Sequence, residues 1–137
     1  YGTEQALAES GLGWTVLRNG WYQENLFHSL PAALASGKWF SAAGDGKIAH
    51  VSREDAAHAA AAALAKQPNG NARYDITGPE LLDTREIARL ASDATGKPIE
   101  VVNVTDEQLV QGMIAAGMPA FLAPVYASFD TNTRAGN

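Results

Sequence analysis

The side chains best suited to binding chemistry fall in one short segment, residues 17–25, which reads Leu-Arg-Asn-Gly-Trp-Tyr-Gln-Glu-Asn. Aromatic rings such as Trp21 and Tyr22 can wall or stack on a flat ligand. Gly20 lets the backbone approach such a ligand closely, and Asn25 can orient its polar edge. The segment therefore favours a binding site for a flat small molecule. The alternative is that both aromatic rings are core residues under the following helix.

Other kinds of site have no support in the sequence. His28, His50 and His58 are 22 and 8 residues apart, which is not a metal-ligand spacing, so no metal site is expected. The sequence holds no Gly-x-Ser-x-Gly elbow, no Walker A loop and no Gly-x-Gly-x-x-Gly fingerprint. Residues 44–46, Gly-Asp-Gly, predict a tight turn rather than a phosphate cradle. Catalytic residues therefore stay unassigned.

Composition excludes several classes of protein. The chain has 137 residues, a net charge of −5, 46% hydrophobic residues and no cysteine. The lack of cysteine excludes disulfide scaffolds, thiolate zinc sites and cysteine nucleophiles. An acidic chain without a Lys/Arg cluster argues against nucleic acid or a membrane surface as its partner. No apolar run approaches the ~20 residues of a membrane span, so a cytoplasmic location is expected.

The order of the predicted elements indicates an α/β fold in a single piece, residues 1–137. The elements are a helix over 3–10, a strand over 14–18, a helix over 24–36 that Pro31 kinks or divides, short strands over 38–41 and 48–51, an Ala-rich helix over 53–66 opened by Ser52, a strand over 74–77, a helix over 84–95, a strand over 99–104, a helix from Thr105 to near Gly117, a helix from Ala120 to about Phe129, and a frayed polar tail.

The strand over 14–18 has special importance because residues 19–25 follow its carboxyl end. Its apolar and β-branched residues predict a parallel strand buried on both faces, and ligands of such sheets bind beyond the carboxyl ends. A strand of this kind needs neighbours on each side. Because the chain also begins with Tyr1 inside a helical pattern, we expect it to be a fragment of a longer protein.

Several strings together resemble the NmrA-like group of atypical short-chain dehydrogenases, and within it the bacterial NAD(P)H:quinone oxidoreductases. The first are Thr-Glu-Gln-Ala-Leu-Ala-Glu-Ser-Gly at 3–11 and Trp-Thr-Val-Leu-Arg-Asn-Gly-Trp-Tyr-Gln-Glu-Asn at 14–25. The resemblance continues through Ala-Ala-Gly-Asp-Gly-Lys-Ile-Ala at 42–49, Ser-Arg-Glu-Asp at 52–55 and Tyr-Asp-Ile-Thr-Gly at 74–78. It covers nearly the whole chain and weakens after about residue 110.

The resemblance implies a Rossmann-like fold that binds NADP(H) or NAD(H), with a small substrate-binding lobe. The glycine-rich fingerprint of the family belongs to its N-terminal half, so this chain resembles the C-terminal half alone. We expect it not to bind the cofactor tightly by itself. The residues that the resemblance assigns to the cofactor are Asn19, Gly20, Trp21, Tyr22 and Glu24. Those that it assigns to the substrate are Asn25, Arg53, Trp21 and Tyr22.

The resemblance implies hydride transfer from NAD(P)H to a quinone. The alternative is an NmrA-like regulator that senses the redox state of the nucleotide without catalysis. The chain departs from the Tyr-x-x-x-Lys pattern of many short-chain dehydrogenases, because Gln5 stands where Tyr1 would need a lysine, and Tyr1 receives no catalytic role. Arg53 has alternatives of its own: a surface residue at the first position of the helix, or a salt bridge to Glu54 or Asp55. Assembly into a homo-oligomer is left open.

Overall fold

The computed structural model describes residues 2–66 and 70–136. Its elements in chain order are α1 (Gly2–Glu9), β1 (Thr15–Asn19), a 3-10 helix (Gln23–His28), α2 (Leu30–Ser36), β2 (Lys38–Ser41), α3 (Arg53–Lys66), β3 (Ala72–Ile76), α4 (Thr84–Thr95), β4 (Glu100–Asn103), α5 (Asp106–Ala115) and α6 (Ala123–Arg134). The predicted α/β class is therefore confirmed. Tyr1 lies outside the described residues.

The described residues form two compact units. Those within 1–24 and 49–79 form the first unit, and those within 25–48 and 80–137 form the second. Each unit holds one pair of parallel strands, β1 with β3 in the first and β2 with β4 in the second. No described helix is both long and apolar enough to cross a bilayer.

In the first unit, the carboxylate of Glu4 on α1 joins both strands of the sheet. It accepts two hydrogen bonds of 2.8 Å from Arg18 on β1 and lies 2.9 Å from Arg73 on β3. The hydrogen bonds from Arg18 hold the pKa of Glu4 below its usual range. The guanidinium of the candidate segment is therefore engaged in a structural ion pair.

The expectation that β1 is buried on both faces is wrong. Val16 and Leu17 are half-buried, and the other three residues of the strand are exposed. Within the described residues β1 pairs with β3 alone. The parallel direction that the prediction required is confirmed.

The strand predicted over 48–51 does not form, because its two ends pair with different segments. Ile48 exchanges backbone hydrogen bonds of 3.0 and 3.1 Å with Leu82 in an isolated antiparallel bridge. Val51 forms an isolated parallel bridge with Tyr22. A continuous ladder would require one partner strand along the whole segment.

Gly78 allows a close backbone crossing next to this segment. A Cβ atom at position 78 would lie 1.9 Å from the carbonyl oxygen of His50. The amide of Gly78 donates to Ala49 O at 3.2 Å, which holds the two segments together. Only glycine fits at this position without a shift of the backbone.

In the second unit, the predicted helix ends are confirmed where the signals are local. Asp83 with Glu86 and Thr105 with Gln108 form complete capping boxes at the starts of α4 and α5. The helix predicted over 24–36 is two helices, as one of the two alternatives requires. Pro31 lies in the first turn of α2, where the missing amide costs no intrahelical hydrogen bond.

The predicted frayed tail is wrong, because α6 continues to Arg134. Asp130 accepts hydrogen bonds from the Ser41 hydroxyl at 2.9 Å and the Ala42 amide at 2.7 Å. Arg134 donates to both carboxylate oxygens of Asp106 at 3.0 and 2.9 Å, and to the carbonyl of Ala42. These contacts anchor the polar end of α6 to the end of β2 and to α5.

We expect Gly78→Ala to lower the free energy of unfolding by at least about 3 kcal/mol, the upper part of the range for overpacked sites. The reason is the clash of the new Cβ with His50 O. Gly112→Ala is the matched control, since a Cβ there meets no atom within 4 Å and the residue lies in α5. The control should gain up to about 1 kcal/mol from helix propensity. Denaturant titration of both variants measures the difference, and equal midpoints would contradict the prediction.

The ion pair between Asp106 and Arg134 should stabilise the fold at pH values above the range in which carboxyl groups titrate. Hydrogen bonding from Arg134 lowers the pKa of Asp106 in the folded state. The contribution is therefore present above the unfolded pKa and is lost as the pH falls through the folded pKa, below about pH 4. Melting temperatures measured from about pH 6 to about pH 3 should fall less steeply in Asp106→Asn than in the wild type. An unchanged pH dependence in the variant would show that the ion pair with Arg134 does not stabilise the fold.

Candidate functional site

The candidate segment leaves β1 and is held by backbone hydrogen bonds within the first unit. The Gly20 amide donates to Ile76 O at the end of β3, at 2.8 Å. The Val51 amide donates to Trp21 O at 3.0 Å, and the Gln23 amide donates to Val51 O at 2.9 Å. Residues 20–23 therefore have a fixed backbone at the carboxyl ends of two parallel strands.

Gly20 is explained by the fold itself. A Cβ at this position would lie 3.3 Å from Ile76 O, which is closer than an ordinary van der Waals contact. It would lie 3.4 Å from Ala49 O, which is at the short limit of such contacts. The missing side chain lets two backbone carbonyls of the chain approach. The structure thus gives this glycine a packing role, and contact with a cofactor stays a prediction.

Tyr22 is the centre of the cluster that the structure brings together. Its hydroxyl oxygen accepts a hydrogen bond of 2.9 Å from Asn19 Nδ2. The guanidinium carbon of Arg53 lies 5.5 Å from the centroid of its ring, a cation–π contact. The residue is half-buried, with polar partners on its ring and hydroxyl. Tyr22 is therefore not fully buried, and its binding role stays a prediction.

Arg53 differs from the other arginines in its partner. Five of the six arginines of the sequence are ion-paired with carboxylates at 2.7–3.0 Å: Arg18, Arg73, Arg85, Arg89 and Arg134. Within the described residues Arg53 has no ion pair of this kind and lies over Tyr22 instead. Among the described residues it forms no salt bridge with Glu54 or Asp55, and the Asp55 carboxylate accepts the Ser52 hydroxyl at 2.8 Å. Arg53 is exposed and is the first residue of α3, as the surface alternative requires.

Glu24 places Arg53 through the backbone. Both oxygens of its carboxylate accept from the Arg53 amide, at 3.0 and 3.2 Å. The negative charge therefore lies at the N-terminus of α3, where it interacts favourably with the helix dipole. Ser52 caps the same helix by accepting the Asp55 amide at 2.9 Å, so the cap predicted at Ser52 is confirmed.

The contact between Glu24 and Arg53 could not be found from the sequence. The capping signal at Ser52 is local, whereas Glu24 comes from 29 residues away and no pattern marks the pair. Trp21 is half-buried. Asn25 is half-buried in the 3-10 helix and belongs to the second unit. The binding roles predicted for all seven site residues stay predictions.

Relatives of known activity match almost all of this chain. Quinone oxidoreductase 2 of Escherichia coli (strain K12) is 36% identical over 134 residues, which are 98% of this chain and 47% of that protein. NAD(P)H azoreductase of Xenophilus azovorans is 36% identical over 120 residues, which are 88% of this chain and 42% of that protein. No protein-family model matches.

Solved structures give the same result. An NADPH-dependent quinone oxidoreductase of Escherichia coli, in complex with NADPH, matches with a TM-score of 0.93 at 36% identity, over 98% of this chain and 47% of that chain. Triphenylmethane reductase of Citrobacter sp., in complex with NADP(H), matches with a TM-score of 0.89 at 28% identity, over the same shares. This chain therefore spans about half the length of the relatives that it matches. Over nearly its whole length it is similar to about half of each of these NADPH- and NADP(H)-binding reductases.

Proposed function

We propose that the natural protein containing this chain is an NAD(P)H-dependent oxidoreductase that reduces quinones by hydride transfer. The observation that carries the proposal is the cluster of Asn19, Tyr22 and Arg53 at the carboxyl end of β1. The identity of 36% with a quinone oxidoreductase, over a part of the chain that includes this cluster, supports the choice of reaction.

The donor set of the cluster fits a nicotinamide. A carboxamide needs both a donor and an acceptor, and Asn19 keeps Oδ1 as an acceptor while its Nδ2 binds Tyr22. The NH2 group of Asn19 has a second N–H, which serves as the donor. We assign Asn19 the polar contacts with the cofactor, and Trp21 and the ring of Tyr22 an aromatic wall. Gly20 and Glu24 would act through the backbone, one by close packing and the other by holding Arg53.

The reduced nicotinamide, when bound, supplies the hydride. The residues of this chain would supply orientation and charge stabilisation for the acceptor. Arg53 keeps guanidinium donors that no described carboxylate engages, and these suit an oxygen of a quinone that gains negative charge on reduction. Trp21 and Tyr22 would cover the ring of the quinone, and Asn25 is assigned to its polar edge.

The proposal predicts that the protein at its natural length oxidises NADPH or NADH when a quinone is added, and does not when no electron acceptor is present. The assay follows nucleotide oxidation and hydroquinone formation with naphthoquinone as the acceptor, and the two should appear in equal amounts. Nucleotide binding without turnover of any quinone would contradict the enzyme and favour the redox-sensing regulator. Absence of both binding and turnover would remove both functions.

We also propose that the 137 residues alone bind NADP(H) weakly, because the sequence has no glycine-rich fingerprint to cradle the pyrophosphate. Isothermal titration of this chain and of the natural-length protein makes the comparison. The natural-length protein should bind in the micromolar range, and this chain at least about 100-fold more weakly, a loss of about 2.7 kcal/mol. Micromolar affinity of the isolated chain would overturn the prediction.

A further inference from the structure

We propose that Tyr22 is the proton donor of quinone reduction, and that Asn19 and Arg53 are positioning residues for its hydroxyl and its ring. The inference rests on the proposed function. It goes beyond it by assigning the proton that hydride transfer alone does not supply.

Tyr22 is held at three points. Its backbone lies in the bridge with Val51, where the flanking Trp21 carbonyl and Gln23 amide form hydrogen bonds of 3.0 and 2.9 Å. Its ring lies under the guanidinium of Arg53 at 5.5 Å. Its hydroxyl is fixed by Asn19 Nδ2 at 2.9 Å. A group fixed in this way loses little further freedom when it reacts.

The direction of the hydrogen bond from Asn19 determines what the hydroxyl can do. An amide nitrogen only donates, so the oxygen of Tyr22 is the acceptor. The single proton of the phenol is then directed away from Asn19 and stays available for another acceptor. Asn19 is the last residue of β1, so its backbone is held by the pairing with β3.

The other proposed site residues are poorer proton donors. A guanidinium such as Arg53 does not give up a proton in proteins, and amides such as Asn19 and Asn25 hold theirs. Both oxygens of Glu24 accept from the amide of Arg53, so this carboxylate is engaged with the backbone. Tyr22 is therefore the member of the site that combines a transferable proton with a fixed position.

The atoms and electrons of the step balance. The quinone gains two electrons and one hydrogen as hydride from the reduced nicotinamide, which is oxidised. The second hydrogen comes as a proton from Tyr22: the Oη–H bond breaks, and a bond from that hydrogen to a quinone oxygen forms. The electron pair of the broken bond stays on Tyr22, and solvent water returns the proton.

The test compares two acceptors in the natural-length protein, wild type against Tyr22→Phe. Naphthoquinone needs a hydride and a proton, whereas the cation of a triphenylmethane dye needs a hydride alone. We expect kcat for the quinone to fall about 100-fold more than kcat for the dye, as for the loss of a general acid that only the quinone needs. Tyr126→Phe is the matched control, because Tyr126 lies on α6 and packs edge-on against Phe129. Both activities of the control should be unchanged.

Asn19→Ala tests the positioning role. It should lower kcat for the quinone about tenfold more than kcat for the dye, because only the quinone needs the proton that Asn19 positions. An equal loss with both acceptors would instead place Asn19 at the cofactor alone.

A quinone kcat in Tyr22→Phe within threefold of the wild type would overturn the inference, and so would an equal loss with both acceptors. The Kd of NADPH, measured by fluorescence, is the control for displacement of the segment that carries Tyr22. If this Kd is unchanged in Tyr22→Phe, the quinone kcat decides by itself, even if the dye is a poor substrate. A wild type that reduces no quinone would instead contradict the proposed function.

Discussion

The site depends on how backbone amides and carbonyls are satisfied where β1 and β3 end. Parallel strands end at the same edge of a sheet, and the polar groups just beyond them need partners. Residues 49–51 supply several of these partners, through Ala49 O to Gly78 and through Val51 to Trp21 and Gln23. The segment comes so close to both strand ends that no side chain fits at Gly78 and little space remains at Gly20. The crossing therefore fixes the backbone of Tyr22.

The same crossing determines where α3 begins. Val51 is bridged to Tyr22, and only Ser52 separates it from the first residue of the helix, Arg53. The guanidinium consequently reaches the Tyr22 ring, and the carboxylate of Glu24 lies at the exposed amide of Arg53. Two segments that are about thirty residues apart in the sequence thus form one cluster.

Local signals in the sequence predict the structure well, and contacts between distant segments are where prediction fails. Asp83 with Glu86 carries all the information for its capping box within four residues, and α4 begins as predicted. The residues 48–51 look like a strand, but pairing depends on Tyr22 and Leu82, which no local pattern can identify. The polar residues near Asp130 look frayed for the same reason, because Ser41 and Ala42, which bind that carboxylate, lie far away in the sequence.

The candidate segment shows how this limit applies to function. Its residue types indicated a site, yet several of its polar groups are engaged by the fold: Arg18 by Glu4, and Glu24 by the backbone of Arg53. A residue type alone does not distinguish a group that stabilises the fold from one that is free to bind a ligand. Among the described residues, the Tyr22 hydroxyl is an acceptor in its hydrogen bond with Asn19, and the Arg53 guanidinium forms no ion pair, so these are the two groups to which the proposal assigns chemistry. Both belong to side chains that the rest of the cluster orients, as a preorganised site requires.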